Sequence, residues 1–263
     1  MNIVLVTGAS SGLGVEFLKL IDKRNTFGGR NIDELWIIAR RKDRLEHLTG
    51  ELIHKSRIFA LDLSVRSSFS FIKESVASFS AEILLLVNCA GFGRFGMVSD
   101  MNTDDLGNMI SVNCTAATIM TGELIPYMRK GSRIINICST AAFQPLPAIA
   151  VYAATKSYLY SYTRALRFEL LHSGIGVTAV CPYWMLDTEF IQKAEHYDGE
   201  KKMILRHYFL STRASAVARR ALRGAALNLP VVTPDFFSFI HRFLGKLIPD
   251  ELLMWGWSFF RRI

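Results

Sequence analysis

Ile3-Val-Leu-Val6, then Thr7-Gly8-Ala9-Ser10-Ser11-Gly12-Leu13-Gly14, then an apolar-periodic run from Val15 to Lys23 follow one another without a break in this 263-residue chain. A β-branched strand running through a glycine-rich turn into a helix is the signature of a phosphate-binding loop. Gly8, Gly12 and Gly14 let the backbone turn tightly, and phosphate oxygens can then approach main-chain N–H groups at a helix N-terminus. Ser10, Ser11 and Leu13 belong to the same turn. A glycine pattern alone is weak, because Gly91-Phe-Gly93-Arg-Phe-Gly96 has the same spacing. That second match leads into Met97 to Asn102 before any helix starts and is read as a loop.

Outward from the turn, short apolar runs alternate with longer amphipathic ones: Leu35 to Ile38, Asp43 to Leu52, Ile58 to Leu61 and Ile83 to Val87. The rhythm continues through a long helical stretch from Thr103 to Met128, with Thr103 as its N-cap, then Arg133 to Ile137, Val151 to Leu171 and Val177 to Cys181. Strand and helix in alternation require right-handed crossovers and a mostly parallel sheet covered on both faces. The fold class is α/β, a Rossmann-like doubly wound parallel sheet. It occupies residues 1–233 as one domain, with an extra C-terminal helical tail over 234–263. The polar segment 184–212 breaks the rhythm and reads as a substrate lid. A last short strand is expected near Leu229 to Val232. In the tail, Phe236, Phe237, Ile240, Phe243, Leu244, Leu247 and Ile248 fall at helical spacing, and Pro249-Asp250 opens a second helix carrying Trp255, Trp257, Phe259 and Phe260. Such a pair packs on the domain or a partner subunit, or makes weak contact with a membrane surface.

The chain is 50% hydrophobic, enough for one full core. Its net charge is +8, and from residue 190 onward twelve Lys/Arg face six Asp/Glu. No recognition module accompanies that charge, so nucleic acid is excluded as a partner. Cys89, Cys114, Cys138 and Cys181 lie in or beside apolar runs, as reduced packing residues of a cytoplasmic protein do. A strand beginning at Asn2 leaves no room for a secretory signal, and no apolar run reaches membrane-spanning length. The histidines share no metal-ligand spacing, so no metal site is expected and they read as surface or packing residues.

Asn88-Cys89-Ala90-Gly91 ends the fourth strand, Asn113 sits in Ser-Val-Asn-Cys, Ser139 follows the fifth strand, and Tyr152-Ala-Ala-Thr-Lys156 comes thirteen residues after Ser139. Together with the first turn, this ordered set over residues 1 to 190 resembles the short-chain dehydrogenase/reductase family. The resemblance implies a nicotinamide-dependent oxidoreductase interconverting a carbonyl and an alcohol, with a small-molecule substrate and a homodimeric or homotetrameric assembly. It assigns Tyr152 as the proton-transferring group, Lys156 to the nicotinamide ribose, Ser139 to the carbonyl oxygen and Asn113 to a water of the proton relay. Asn88, Ala90 and Gly91, with Asp62-Leu63 after the third strand and Pro182 and Thr188 after the sixth, are implied to contact the cofactor. The chain has Pro182-Tyr183 where the family carries Pro-Gly.

The residue chemistry fits those roles. Positions 152 and 156 share a helix face, and an ammonium beside a phenol is expected to lower its pKa toward neutrality. Tyr197 to Lys201 repeats the spacing but contains a glycine in a polar segment and has Trp184 at the serine position, so it is a coincidence. At the end of the second strand, Ala39-Arg40-Arg41 offers guanidinium groups where an acidic residue would select NAD, which favours NADP(H). Phe143, Leu146, Ile149, Tyr183, Trp184 and Met185 suggest a hydrophobic substrate, such as a sterol, a bile-acid-like molecule or an acyl compound. Two other readings compete. One is a catalytically silent NADP-binding regulator, disfavoured by the complete Asn-Ser-Tyr-Lys set. The other is a serine hydrolase through Ser10, disfavoured because such an elbow needs an oxyanion loop from an earlier strand and only seven residues precede Gly8.

Overall fold

The computed structural model describes residues 1–197, 200–201 and 211–261. Its central sheet is formed by β1 (Asn2–Thr7), β2 (Glu34–Ala39), β3 (Ser56–Ala60), β4 (Glu82–Asn88), β5 (Arg133–Ile137), β6 (Gly176–Val180) and β7 (Val231–Val232), in the order β7-β6-β5-β4-β1-β2-β3. Every neighbouring pair is parallel. This is the doubly wound arrangement, in which ligands bind beyond the C-terminal ends of the strands where the winding reverses, here between β1 and β4.

Successive residues of a strand point to opposite faces, and here both faces are covered, so the strands read as continuous apolar runs. Val4 and Val6 of β1 join a cluster with Phe17, Leu18 and Ile21 of α1 (Gly12–Asp22). Leu45 of α2 (Lys42–Thr49) belongs to the same face. Ile3 and Leu5 join the opposite cluster, with Ile72 and Val76 of α3 (Ser67–Ser78). The hydroxyl-, phenylalanine- and charge-mixed pattern of α3 has weak periodicity, and the sequence reading passed over it.

The stretch expected as one helix from Thr103 to Met128 is interrupted. It consists of α4 (Thr103–Ile110), a π-turn over Ser111–Thr115, α5 (Ala116–Leu124) and a final tight turn Ile125–Tyr127 that holds Pro126, whose missing N–H cannot continue an α-helix. Its N-cap is Asn102, not Thr103. The Asn102 side chain accepts from the Asp104 N–H at 2.8 Å, and Thr103 is already helical. The 20-residue α6 (Ala150–Glu169) carries the Tyr-Ala-Ala-Thr-Lys motif on its buried side.

Segment 184–212 opens with α7 (Glu189–Glu195), while residues 198–199 and 202–210 lie outside the described set. The second Tyr-x-x-x-Lys match falls on an antiparallel pair, His196–Tyr197 with Glu200–Lys201, so it lacks the shared helix face. After α8 (Ala214–Ala226) and β7, the tail forms α9 (Phe236–Leu247) and α10 (Asp250–Arg261). Its inner side packs on the domain. Ser238 is buried and held by Asp235, Gly245 lies against the Phe143 carbonyl, and Trp257 Nε1 donates to the Pro147 carbonyl at 3.0 Å. Its outer side leaves Phe236, Phe239, Phe243 and Leu247 exposed at spacings of one helical turn. Among the described residues no helix is long and apolar enough to cross a membrane.

The packing of α1 on the sheet is checked by Phe17→Ala. Phe17 is fully buried, and loss of its ring in a close-packed layer should destabilise the protein by about 3–5 kcal/mol in denaturant unfolding.

Candidate active site

The site begins where β1 and β4 end side by side. The Thr7 hydroxyl accepts from the main-chain N–H groups of both Cys89 and Ala90 at 3.0 Å and donates to the Val87 carbonyl at 3.4 Å. Gly8 has φ +67°, and a Cβ there would stand 2.8 Å from the Ala90 backbone. Only glycine allows that close approach. Gly14 lies directly against the Gly8 carbonyl, and Thr188 covers Gly12, where a Cβ would meet its side chain at 3.2 Å. The turn therefore presents bare backbone at the N-terminus of α1.

A cavity of about 710 Å³ extends from this turn across the C-terminal edge of the sheet. Its lining includes Gly8, Ser10, Ser11, Gly12, Leu13, Gly14, Arg40, Arg41, Asp62, Leu63, Ala90, Gly91, Ser139, Tyr152, Lys156, Pro182 and Thr188, all expected from sequence. Tyr183, Trp184 and Met185 line it too. Arg41 reaches the Ser10 hydroxyl at 3.1 Å and the Ser11 hydroxyl at 2.8 Å, and its other nitrogen pairs with Glu189 of α7 at 3.1 Å. Arg40 is 71% exposed and pairs with Asp62 at 3.7 Å. Burial opposes ionisation of Asp62, but the Ser64 N–H and hydroxyl and the Arg40 charge outweigh it and hold the carboxyl below its ordinary range. Hydrogen bonds from Lys193, Arg44 and Arg41 pull Glu189 down to about 2, so it is ionised at neutral pH. Ser10 thus faces a guanidinium, which removes the arrangement a serine nucleophile needs, a base within reach.

Two expected site residues stand behind the cavity wall. Asn88 donates to Thr121 Oγ1 at 3.0 Å and to Asn136 Oδ1 at 2.8 Å, in a buried polar line that ends on Thr163. It fixes the end of β4 from within the core. Asn113, in the π-turn, accepts from the Phe92 N–H at 3.0 Å and donates to the Phe92 carbonyl at 2.8 Å and to Thr155 Oγ1 at 3.1 Å. Its side-chain amide fastens the 90–94 loop.

Tyr152, Lys156 and Ser139 converge. Lys156 Nζ lies 5.6 Å from the Tyr152 ring centroid and donates to the Ile137 carbonyl at 2.8 Å. Ser139 caps the turn 140–143, its Oγ accepting from the Ala141 N–H at 3.2 Å. The expected drop in the Tyr152 pKa does not occur. Burial pushes the phenol up, and the Ser139 hydroxyl offsets this only in part. Burial likewise lowers Lys156, which sits among the four cysteines. Cys89 is pushed up to about 12 and Cys114 to about 11, so these thiols stay neutral, as packing residues do. Among the described residues no group of metal-ligating side chains forms.

Sequence reasoning missed three parts of the wall. Phe190 of α7 lies tilted against the Tyr152 ring with centroids 5.5 Å apart, Leu244, Leu252, Leu253 and Trp257 bring the tail over the cavity, and His241 joins Gln144. Nothing but helical phase marks His241 as inward-facing. The model of the family described as short chain dehydrogenase matches residues 2–198.

The chain belongs to this family.

The dehydrogenase is 32% identical to an NADP-dependent 3-hydroxy acid dehydrogenase of Schizosaccharomyces pombe, over 75% of this chain and 76% of that protein. Among solved structures, a short-chain dehydrogenase from Sphingobium yanoikuyae in complex with NADPH superposes with a TM-score of 0.75 at 24% identity, covering 95% of this chain and 97% of that one. A short-chain dehydrogenase/reductase from Burkholderia phymatum in complex with NAD gives 0.77 at 18%, covering 92% of each. This dehydrogenase is therefore an oxidoreductase of the family, and its fold accommodates either nicotinamide cofactor in different members.

Proposed function

We propose that the protein is an NADP(H)-dependent oxidoreductase that reduces a hydrophobic ketone to an alcohol, with Tyr152 as the acid. The observation that carries this reading is the convergence of Tyr152, Ser139 and Lys156 on one cavity that also contains the glycine turn. The cofactor fits the residues present. Bare backbone at Gly8, Gly12 and Gly14 would take the pyrophosphate, Asp62 and Leu63 the adenine end, and Ala90, Gly91, Pro182 and Thr188 the nicotinamide end. When bound, the reduced cofactor supplies a hydride.

The residues of the chain supply the rest. Tyr152 donates its Oη proton to the carbonyl oxygen, and the Ser139 hydroxyl donates a hydrogen bond to the same oxygen as charge develops there. A phenol raised by burial remains protonated across the neutral range, which suits a proton donor. Lys156, held by the Ile137 carbonyl, fixes the cationic end of the site beneath the phenol. Asn88 and Asn113 position the loop after β4. Phe190 and Phe95 exclude water from the Tyr152 ring.

Choice of cofactor falls to Arg41 more than to Arg40. Arg41 is anchored beside Ser10 and Ser11 at the turn, whereas Arg40 is exposed and shares its charge with Asp62. A guanidinium so placed suits a 2′-phosphate; Ala39 puts no carboxylate at the end of β2, and the phosphate would take the place of Glu189 as the partner of Arg41.

Tyr152→Phe should lower ketone reduction by about 10²–10⁴-fold while NADPH quenching of protein fluorescence persists; near-normal turnover would remove Tyr152 from the mechanism. Because burial holds the phenol above its ordinary range, the wild-type rate should stay flat from about pH 6 to about pH 10 in a pH profile of kcat/KM; a fall already between about pH 8 and pH 9 would show a phenol that burial does not raise. Arg41→Ala should weaken NADPH by about 10–100-fold and NADH by much less, measured by titration; equal losses would defeat the assignment.

A further inference from the structure

The wall of the cavity beyond Ser139 is built from the segment 144–149 and the tail helices α9 and α10. Its apolar part comprises Leu146, Ile149, Leu244, Leu252, Leu253 and Trp257. Two polar side chains interrupt it. Gln144 is 91% buried, and His241 Nε2 lies 2.7 Å from its Oε1. Burial pushes the His241 pKa down, so the imidazole is neutral. The ring is set by Phe143, 6.1 Å away in an edge contact, and α9 is pressed close at Gly245.

The bond between them leaves one half of each group unused. If Gln144 Oε1 accepts from His241, the Gln144 amide N–H₂ and the bare His241 Nδ1 remain; neither has a protein partner among the described residues. With the amide turned over, Oε1 and a protonated Nδ1 remain. In both arrangements these two cavity-lining side chains keep at least one unused N–H donor and at least one unused acceptor. Buried polar groups of this kind are costly unless something completes their hydrogen bonds.

Resting on the carbonyl-reducing reading above, we propose that Gln144 and His241 bind a second, uncharged oxygen of the substrate, a hydroxyl or carbonyl at the far end of an elongated apolar skeleton. The matching of one donor and one acceptor selects a neutral oxygen. A carboxylate would call for a cation, and the lysines and arginines lining the cavity stand elsewhere: Arg41 at the glycine turn, Arg40 on Asp62, Lys156 on the Ile137 carbonyl and Lys193 on Glu189. The separation from the reacting carbon follows from the backbone. Ser139 and Gln144 are joined by the tight turn 140–143, which at about 2 Å per residue plus one extended step spans on the order of 10 Å.

The test compares two matched pairs of ketones with NADPH, 5α-androstan-3-one against 5α-androstane-3,17-dione and 2-undecanone against 2,10-undecanedione. In at least one pair the second oxygen should raise kcat/KM about five- to tenfold, mainly through KM. Gln144→Met, which conserves length, should reduce that ratio to within about twofold while leaving kcat on the mono-oxygenated ketone unchanged. His241→Phe should reduce it by an intermediate amount, and it carries the test if Gln144→Met melts before assay. An undiminished ratio in the folded variants, or no preference in either pair by the wild type, overturns the anchor. Reduction of other ketones but of neither pair also overturns it, whereas no NADPH oxidation with any ketone defeats the underlying oxidoreductase reading instead.

Discussion

One hydroxyl holds the two strand ends between which the cavity opens. Thr7 Oγ1 accepts from two consecutive backbone N–H groups after β4, that of Cys89, which it shares with the Val87 carbonyl, and that of Ala90. That bond sets the contact of Gly8 with Ala90, and with it the position of the glycine turn against the 90–94 loop. From the other side, the same loop is fastened by Asn113. The π-turn around Asn113 widens the helix locally by one residue, which gives that amide its position beside Phe92 and Thr155.

The central sheet and its order were legible because each strand, buried on both faces, reads as a continuous apolar run between turn signals. The chemical motifs were legible because Gly8, Ser139, Tyr152 and Lys156 all lie at C-terminal strand edges or one turn into the helix that follows. The roles of Asn88 and Asn113 were harder to read. Their side chains answer to partners 33, 48, 21 and 42 residues away in sequence, so no local spacing reveals that they face the core rather than the cavity.

The electrostatics were the least legible part. Proximity of Lys156 suggested a lowered phenol, but the desolvation of Tyr152 depends on Phe95, Trp184 and Phe190, which close around it from distant segments. In the same way, Arg40 and Arg41 are adjacent and chemically identical, yet one is turned to solvent and the other to the glycine turn. Adjacent residues diverge in this way where a strand ends, since the next helix takes over the direction of the chain.

The tail has a consequence of another kind. The groups proposed to transfer the proton and to cradle phosphate lie before residue 190, whereas much of the roof comes from α9 and α10, beyond the residues that the family model matches. Substitutions on the inner face of α9 and α10 would reshape the roof without touching the strand ends beneath it.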